Sequence, residues 1–260
     1  MEHKNQIKYR KVSGLTAQGV RVWALLFLLF GLALNPKVVG ILKTDADFMV
    51  LSVGLLVQLL HFSAIPLFVF LMVEGFAHTV SLKNYVIRVG IVALVSQVPY
   101  NYAMYGYLFS LKEFHLNPVF GLLLAMTLLY FFKRYSGKSF KRVMLKIFLC
   151  VMAYLWVNML RIDYAVTVIL LAPIFYFLRH KRVVMIFAGC IVMTLCGFLD
   201  APGGEFSPMR AAAYVASSPV SFMILHFYNG EPGEGNRYIN YCAYPVILLA
   251  IGLFAKFVIV

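Results

Sequence analysis

Acidic side chains are scarce in this chain: 10 Asp and Glu stand among 260 residues, against 23 Lys and Arg. Charged residues of both signs make up 13% of it and apolar residues 62%. A soluble domain carries about twice that share of charge, so a water-facing globular fold of this length is excluded. Cysteine is rare as well. Cys150, Cys190, Cys196 and Cys242 all fall inside apolar stretches, with neither zinc-finger nor CxxC spacing. They read as packed thiols and predict no disulfide. No HExxH occurs, so no metal site is expected. The sequence shows no internal repeat, no low-complexity tract and no polar loop longer than about twenty residues, which leaves no room for an appended soluble domain. Strict apolar–polar alternation is missing too, which excludes a membrane β-barrel.

What remains is grease in long runs. Mean hydropathy is +0.86. In lipid every backbone polar group must be satisfied internally, so unbroken apolar runs must be helices. The runs predict an all-α, polytopic transmembrane bundle forming a single integral membrane domain over 1–260. It has about nine spans (eight to ten), at 20–36, 48–78, 85–103, 116–132, 143–160, 163–178, 183–199, 210–227 and 238–256. The long 48–78 segment is expected to break near Ser63–Pro66. Pro99 is expected to end or kink its helix.

The net charge of +13 sits in short loops between these runs, so its partner is the lipid bilayer and no nucleic acid is expected. Seventeen Lys and Arg fall on one set of ends and five on the other, with Lys256 near the C-terminus. By the positive-inside rule the N-terminus is cytoplasmic. Residues 1–19 read as a cytoplasmic polar tail before an uncleaved first span. With an odd number of spans the C-terminus lies outside. The basic loop 133–146 marks the cytoplasmic face, and the Gly/Pro-rich loop 199–210 reads as an external turn.

Ionisable groups inside apolar runs carry a high cost and are read as functional by default. The segment PLFVFLMVEGFAHT at 66–79 sets Glu74 and His78 four residues apart on one helical face. His78 is therefore the candidate general base and Glu74 its orienting carboxylate. Tyr228 and Asn229 fall at the same predicted depth. Toward the other face lie Gln97, Asn101, Asn117, Asn158, Asp163 and Tyr164. Gln97, Asn101 and Asn117 are the candidate lining of an acceptor cavity, with Asp163, Tyr164, Tyr228 and Asn229 as further substrate contacts. His61 reads as structural, and His3, His115 and His180 as loop or interfacial residues.

The segments 66–79, YVIRVGIVALVSQVPYN (85–101), LNPVFGLLLAM (116–126), DYAVTVILLAPIFYFLR (163–179), FYNG and the later Tyr244-Pro245 occur in one order. In that order the chain resembles the TraX family of membrane proteins. The resemblance implies a helical bundle related to membrane acyltransferases, in the bacterial cytoplasmic (inner) membrane. It also implies transfer of an acetyl or other acyl group, with acetyl-CoA or another acyl-CoA as co-substrate and no bound cofactor. The acceptor would be an amine or hydroxyl of a membrane-associated protein or glycan. The chain departs from the family pattern at three places. Gly31 and Leu32 stand where the first span of the family carries an Asp-His pair. Phe62 stands near the place of a family Arg, and the segment Tyr244–Leu248 lacks the family's His. A catalytic member should regain a polar group beside Gly31 from another helix. The rival readings are a catalytically silent scaffold or assembly partner, and a small-molecule transporter or flippase; the missing inverted repeat weighs against the last.

Overall fold

A computed structural model describes residues 13–33, 47–106, 115–137, 139–199 and 207–259. The described residues form nine helices and no strand. They are α1 (Ala17–Ala33), α2 (Asp47–His78), α3 (Leu82–Tyr105), α4 (Pro118–Arg134), α5 (Phe140–Met159), α6 (Ala165–Leu178), α7 (Arg182–Leu199), α8 (Pro208–His226) and α9 (Arg237–Ile259). Each falls on one of the apolar runs, with ends displaced by no more than three residues where both are described. The polar tail up to residue 12 and most of the loop 199–210 lie outside the described residues.

Among the described residues two helices are long and apolar enough to cross a membrane by themselves: Ser52–His78 and Arg182–Leu199. Shorter apolar helices cover Ala17–Leu32, Ala165–Leu178 and Ile239–Phe254. The outside of the bundle is apolar. Ile91, Leu94 and Val95 of α3, Phe148 and Leu155 of α5, and Phe187, Ile191 and Leu195 of α7 are all exposed. An apolar exterior of that extent fits lipid rather than water.

The helices keep going where the sequence signals a stop. The break expected near Ser63 and Pro66 does not occur, and α2 runs unbroken through Pro66. Likewise α3 passes Pro99 and ends only at Tyr105, capped by Gly106 at φ +79°. Proline removes one helical donor, and in a bundle neighbouring helices and hydroxyl side chains supply other bonds. Ser63 Oγ donates to the Leu59 carbonyl at 2.8 Å, one turn before Pro66. Ser221 Oγ of α8 donates to the Ser63 carbonyl at 3.0 Å, tying the two helices together at this point.

α2 is the central post. It packs on α1, α8 and α6, while α7 packs on α8 and α6, α4 on α6, and α9 on α3. Small residues let these axes close up. A Cβ at Gly189 of α7 would stand 2.2 Å from the ring of Phe222 on α8. The start of α1 is tied to the segment after α8: Ala17 N–H donates to the Glu231 carbonyl and Gln18 N–H to that of Pro232, at 2.8 and 3.1 Å. Two donors that a helix start leaves over are thus satisfied. The short connections 79–81, 135–137, 179–181 and 227–236 share one end of the bundle. Most of the described Lys and Arg lie toward it, and it is called the basic end below.

Candidate functional site

A cavity of about 450 Å³ lies among α1, α2, α3, α4, α6 and α9. That volume is in the range of small-molecule sites. One stripe of α2 forms a wall from His78 at the basic end, with Thr79 just beyond it, to His61 within the bundle. Seventeen residues separate the two histidines, or about 26 Å at the helical rise. The middle is apolar, lined by Leu25, Leu28, Phe68, Val89 and Leu122 among others, and polar groups gather at the two ends.

The inner end centres on His61, which is 8% exposed. Neither of its ring nitrogens has a hydrogen-bond partner among the described residues. Its ring lies 4.9 Å from that of Tyr164 and 5.8 Å from that of Phe62. The Arg210 guanidinium of α8 lies over the rings of Phe62, Tyr164 and Tyr214 at 5.6, 5.7 and 5.9 Å. Tyr164 and Tyr244 line the same end. Buried imidazole nitrogens normally find partners, so an unpartnered pair on a cavity wall marks a place for a ligand. Gly31 makes the arrangement fit. A Cβ there would sit 2.6 Å from the His61 backbone nitrogen and 2.7 Å from its Cα. The α1–α2 approach at His61 therefore requires glycine.

The mouth is held by cations on aromatic rings. Arg88 Nε donates to the Tyr241 hydroxyl at 3.2 Å, and its guanidinium lies 6.0 Å from the rings of Tyr85 and Tyr241. Arg21 donates to Gln18 Oε1 at 2.6 Å, and Gln18 pairs with Asn240 through two 3.0 Å bonds. His78 stands at the rim with its side chain 76% exposed. Its Nδ1 lies 3.0 Å from both Oε2 and the main-chain carbonyl of Glu74. Tyr228 is close by: burial, and secondly the Glu74 carboxylate, push its hydroxyl up to about 12. Asn229 serves its own turn, its Oδ1 accepting from Glu231 N–H at 2.9 Å.

A second polar group lies at the end away from the basic one. Asn117 caps α4, its Oδ1 accepting from Val119 N–H at 3.0 Å while its Nδ2 donates to Gln97 Oε1 and the Ala93 carbonyl. Gln97 Nε2 donates to Asn101 Oδ1 at 3.0 Å and to the His115 carbonyl at 2.7 Å. Asp163 accepts from Tyr100 and Tyr105 and meets His115. So Gln97, Asn101, Asn117 and Asp163 do come together, but beside this cavity and not along its wall. Tyr164 parts from them and faces His61. Asn158 stays outside, bonded to the Tyr154 carbonyl on an exposed face.

Sequence reasoning passed over His61, Arg210, His115 and the mouth residues Arg21, Arg88, Tyr85 and Tyr241. For His61 a signal existed, since an imidazole in the middle of an apolar run carries the same cost as Glu74. The others became neighbours only through packing.

The fold and cavity together define a class: a helical membrane protein with a small-molecule-sized cavity inside the bundle. The chain belongs to the TraX family, whose profile, described as TraX protein, matches residues 22–255. No curated protein and no solved structure matches it.

Proposed function

We propose that this protein is a TraX-family membrane acyltransferase. It moves an acetyl or other acyl group from a thioester donor to an amine or hydroxyl of a membrane-associated protein or glycan acceptor. The observation that carries the reading is His61 set against Gly31. The first helix lacks the family's Asp-His pair there, and the α2 residue whose backbone and Cβ pack against Gly31 is a histidine. A second replacement supports it: Arg210 of α8 lies over Phe62, where the family pattern has an Arg.

The chemistry follows from the two ends. Acyl transfer needs a base for the nucleophile's proton, worth about 10²–10⁴ in rate. It also needs positive potential where the carbonyl oxygen becomes negative. His61 offers the free imidazole nitrogen, and the Arg210 guanidinium the positive environment. Arg21 and Arg88 at the mouth suit the phosphates of acetyl-CoA or another acyl-CoA. The thioester arm then runs along the cavity. In this reading the chain crosses the bacterial cytoplasmic membrane nine times with its N-terminus inside, which puts the mouth in the cytosol. His78, oriented by Glu74, is the alternative base and would act at the mouth. One residue favours the silent scaffold: Ile247 falls in the segment where the family keeps a His.

Purified protein in lipid vesicles, given radiolabelled acetyl-CoA and membrane extract as a source of acceptors, tests this. Wild type should transfer label, and His61→Gln should lose about 10²–10⁴ of the rate. Loss with His78→Ala and not with His61→Gln would move the chemistry to the mouth. Wild type that leaves the donor intact would leave the scaffold.

A further inference from the structure

Acyl transfer drives negative charge onto the carbonyl oxygen, and a hydrogen-bond donor aimed at that oxygen stabilises it where the charge develops. Arg210 acts on the inner end across the rings of Phe62 and Tyr164 and does not itself line the cavity. A direct donor therefore has to come from the wall. The polar side chains of the wall at this end are His61, Tyr164 and Tyr244. His61 takes the nucleophile's proton in the reading above. Tyr164 sits at a left-handed φ of +58° and has its ring on His61 at 4.9 Å. That leaves the Tyr244 hydroxyl, which makes no hydrogen bond among the described residues. A phenol keeps its proton at neutral pH and can donate it to a hydrogen bond. Packing alone would be served as well by phenylalanine, so the hydroxyl has a ligand to meet.

The contacts of Tyr244 set its reach. Its ring meets that of Phe68 edge-on at 6.3 Å. Asp163 and Tyr164 both act on its hydroxyl electrostatically, which sets it between the level of Phe68 and that of Tyr164 and His61. Phe68 stands seven residues from His61 on α2, or about 10 Å at the helical rise. A base, the nucleophile bonded to it, a carbonyl in line for attack and a donor to the carbonyl oxygen together span roughly 8–10 Å. His61 and Tyr244 stand at the two ends of such a line. The ring is also firmly placed. Leu248 and Ile251, one and two turns further along the same face of α9, are buried at 0% and 5% exposure. The apolar middle of the cavity offers no competing partner, and in such surroundings a hydrogen bond to a developing charge gains strength.

We infer that the Tyr244 hydroxyl is a catalytic donor that binds the carbonyl oxygen of the acyl group during transfer. This rests on the acyltransferase reading and gives that site its second catalytic side chain. The acceptor's O–H or N–H proton passes to His61 as its oxygen or nitrogen bonds to the carbonyl carbon. The carbonyl π pair moves onto oxygen, which accepts a hydrogen bond from Tyr244. The pair then re-forms the carbonyl as the carbon–sulfur bond breaks, and sulfur leaves with its electrons and takes the proton from His61. Tyr244 keeps its own proton throughout.

The test uses the full chain in phosphatidylcholine vesicles with radiolabelled acetyl-CoA, and membrane extract and octylamine as acceptors. Tyr244→Phe removes the hydroxyl and keeps the ring. It should lower kcat by about 10²–10³, the worth of one such donor, with KM for acetyl-CoA unchanged and Tm within about 2 °C of wild type. Dithioacetyl-CoA, whose thiocarbonyl sulfur is a weak acceptor, sharpens this once rates are corrected for the uncatalysed reaction with octylamine. Wild type should lose about as much on that donor as Tyr244→Phe loses on acetyl-CoA, and the variant should lose little more. Wild-type kcat in Tyr244→Phe would overturn the assignment and leave the acyltransferase standing. So would a raised KM at constant kcat, which marks binding before the transition state, or losses that multiply across variant and donor. A fall in Tm of several degrees would show the hydroxyl to be holding the fold, and would overturn it too. No transfer by wild type to either acceptor would overturn the parent reading and the assignment with it.

Discussion

The two ends of the cavity use the same residue types under opposite conditions. At the mouth, His78 is mostly exposed, paired with Glu74 and flanked by Arg21 and Arg88. At the inner end, His61 is buried and lacks a hydrogen-bond partner, with Arg210 spread over the aromatic rings around it. Both histidines lie on α2. The contrast shows that an ionisable residue in an apolar helix is informative only together with its depth. A rim pair interacts weakly through water, whereas a buried imidazole facing a cavity has only a ligand left to bond.

The largest effect that sharpens the contrast is on rate. His61→Gln is expected to cost about 10²–10⁴ in acyl transfer and His78→Ala less than about threefold, both from initial rates in vesicles. Equal losses would erase the difference between the ends. Next comes Gly31→Leu, which pushes a side chain into the His61 backbone. Overpacking should lower stability by about 1–3 kcal/mol, read as a fall in Tm; an unchanged Tm would mean that α1 and α2 can part freely at His61. Asn117→Ala removes the α4 cap and a partner of Gln97, and should cost about 1–2 kcal/mol in denaturation. That result would show the end away from the mouth to be held by its own bonds. The smallest is Arg88→Gln at the mouth. It should raise KM for acetyl-CoA about tenfold, the worth of one charge-assisted contact, with kcat unchanged. A changed kcat and a constant KM would take the donor's charge away from Arg88.

Much of the fold was legible, because lipid leaves few choices. Apolar runs of span length must be helices, and each predicted run holds one. The break assigned to Pro66 failed for a reason outside the local sequence: α2 and α8 bond to each other through Ser63, Ser217 and Ser221 just where α2 loses a donor. The grouping of Gln97, Asn101, Asn117 and Asp163 at one depth was also readable, since depth follows from position along a span. That Tyr164 faces elsewhere was not, because its direction depends on one left-handed residue. His115 gave no signal at all, and its meaning comes from an aspartate 48 positions away.

The sequence by itself determined the helical class, the number and order of apolar helices, the basic end and the family, because composition, hydropathy and motif order are properties of the chain taken along its length. Tertiary structure alone decided which imidazole is buried, that Gly31 is filled by His61, that Arg210 covers Phe62, and that Asp163 meets His115. Those are contacts between side chains far apart in sequence, and the packing of one helix on another sets them.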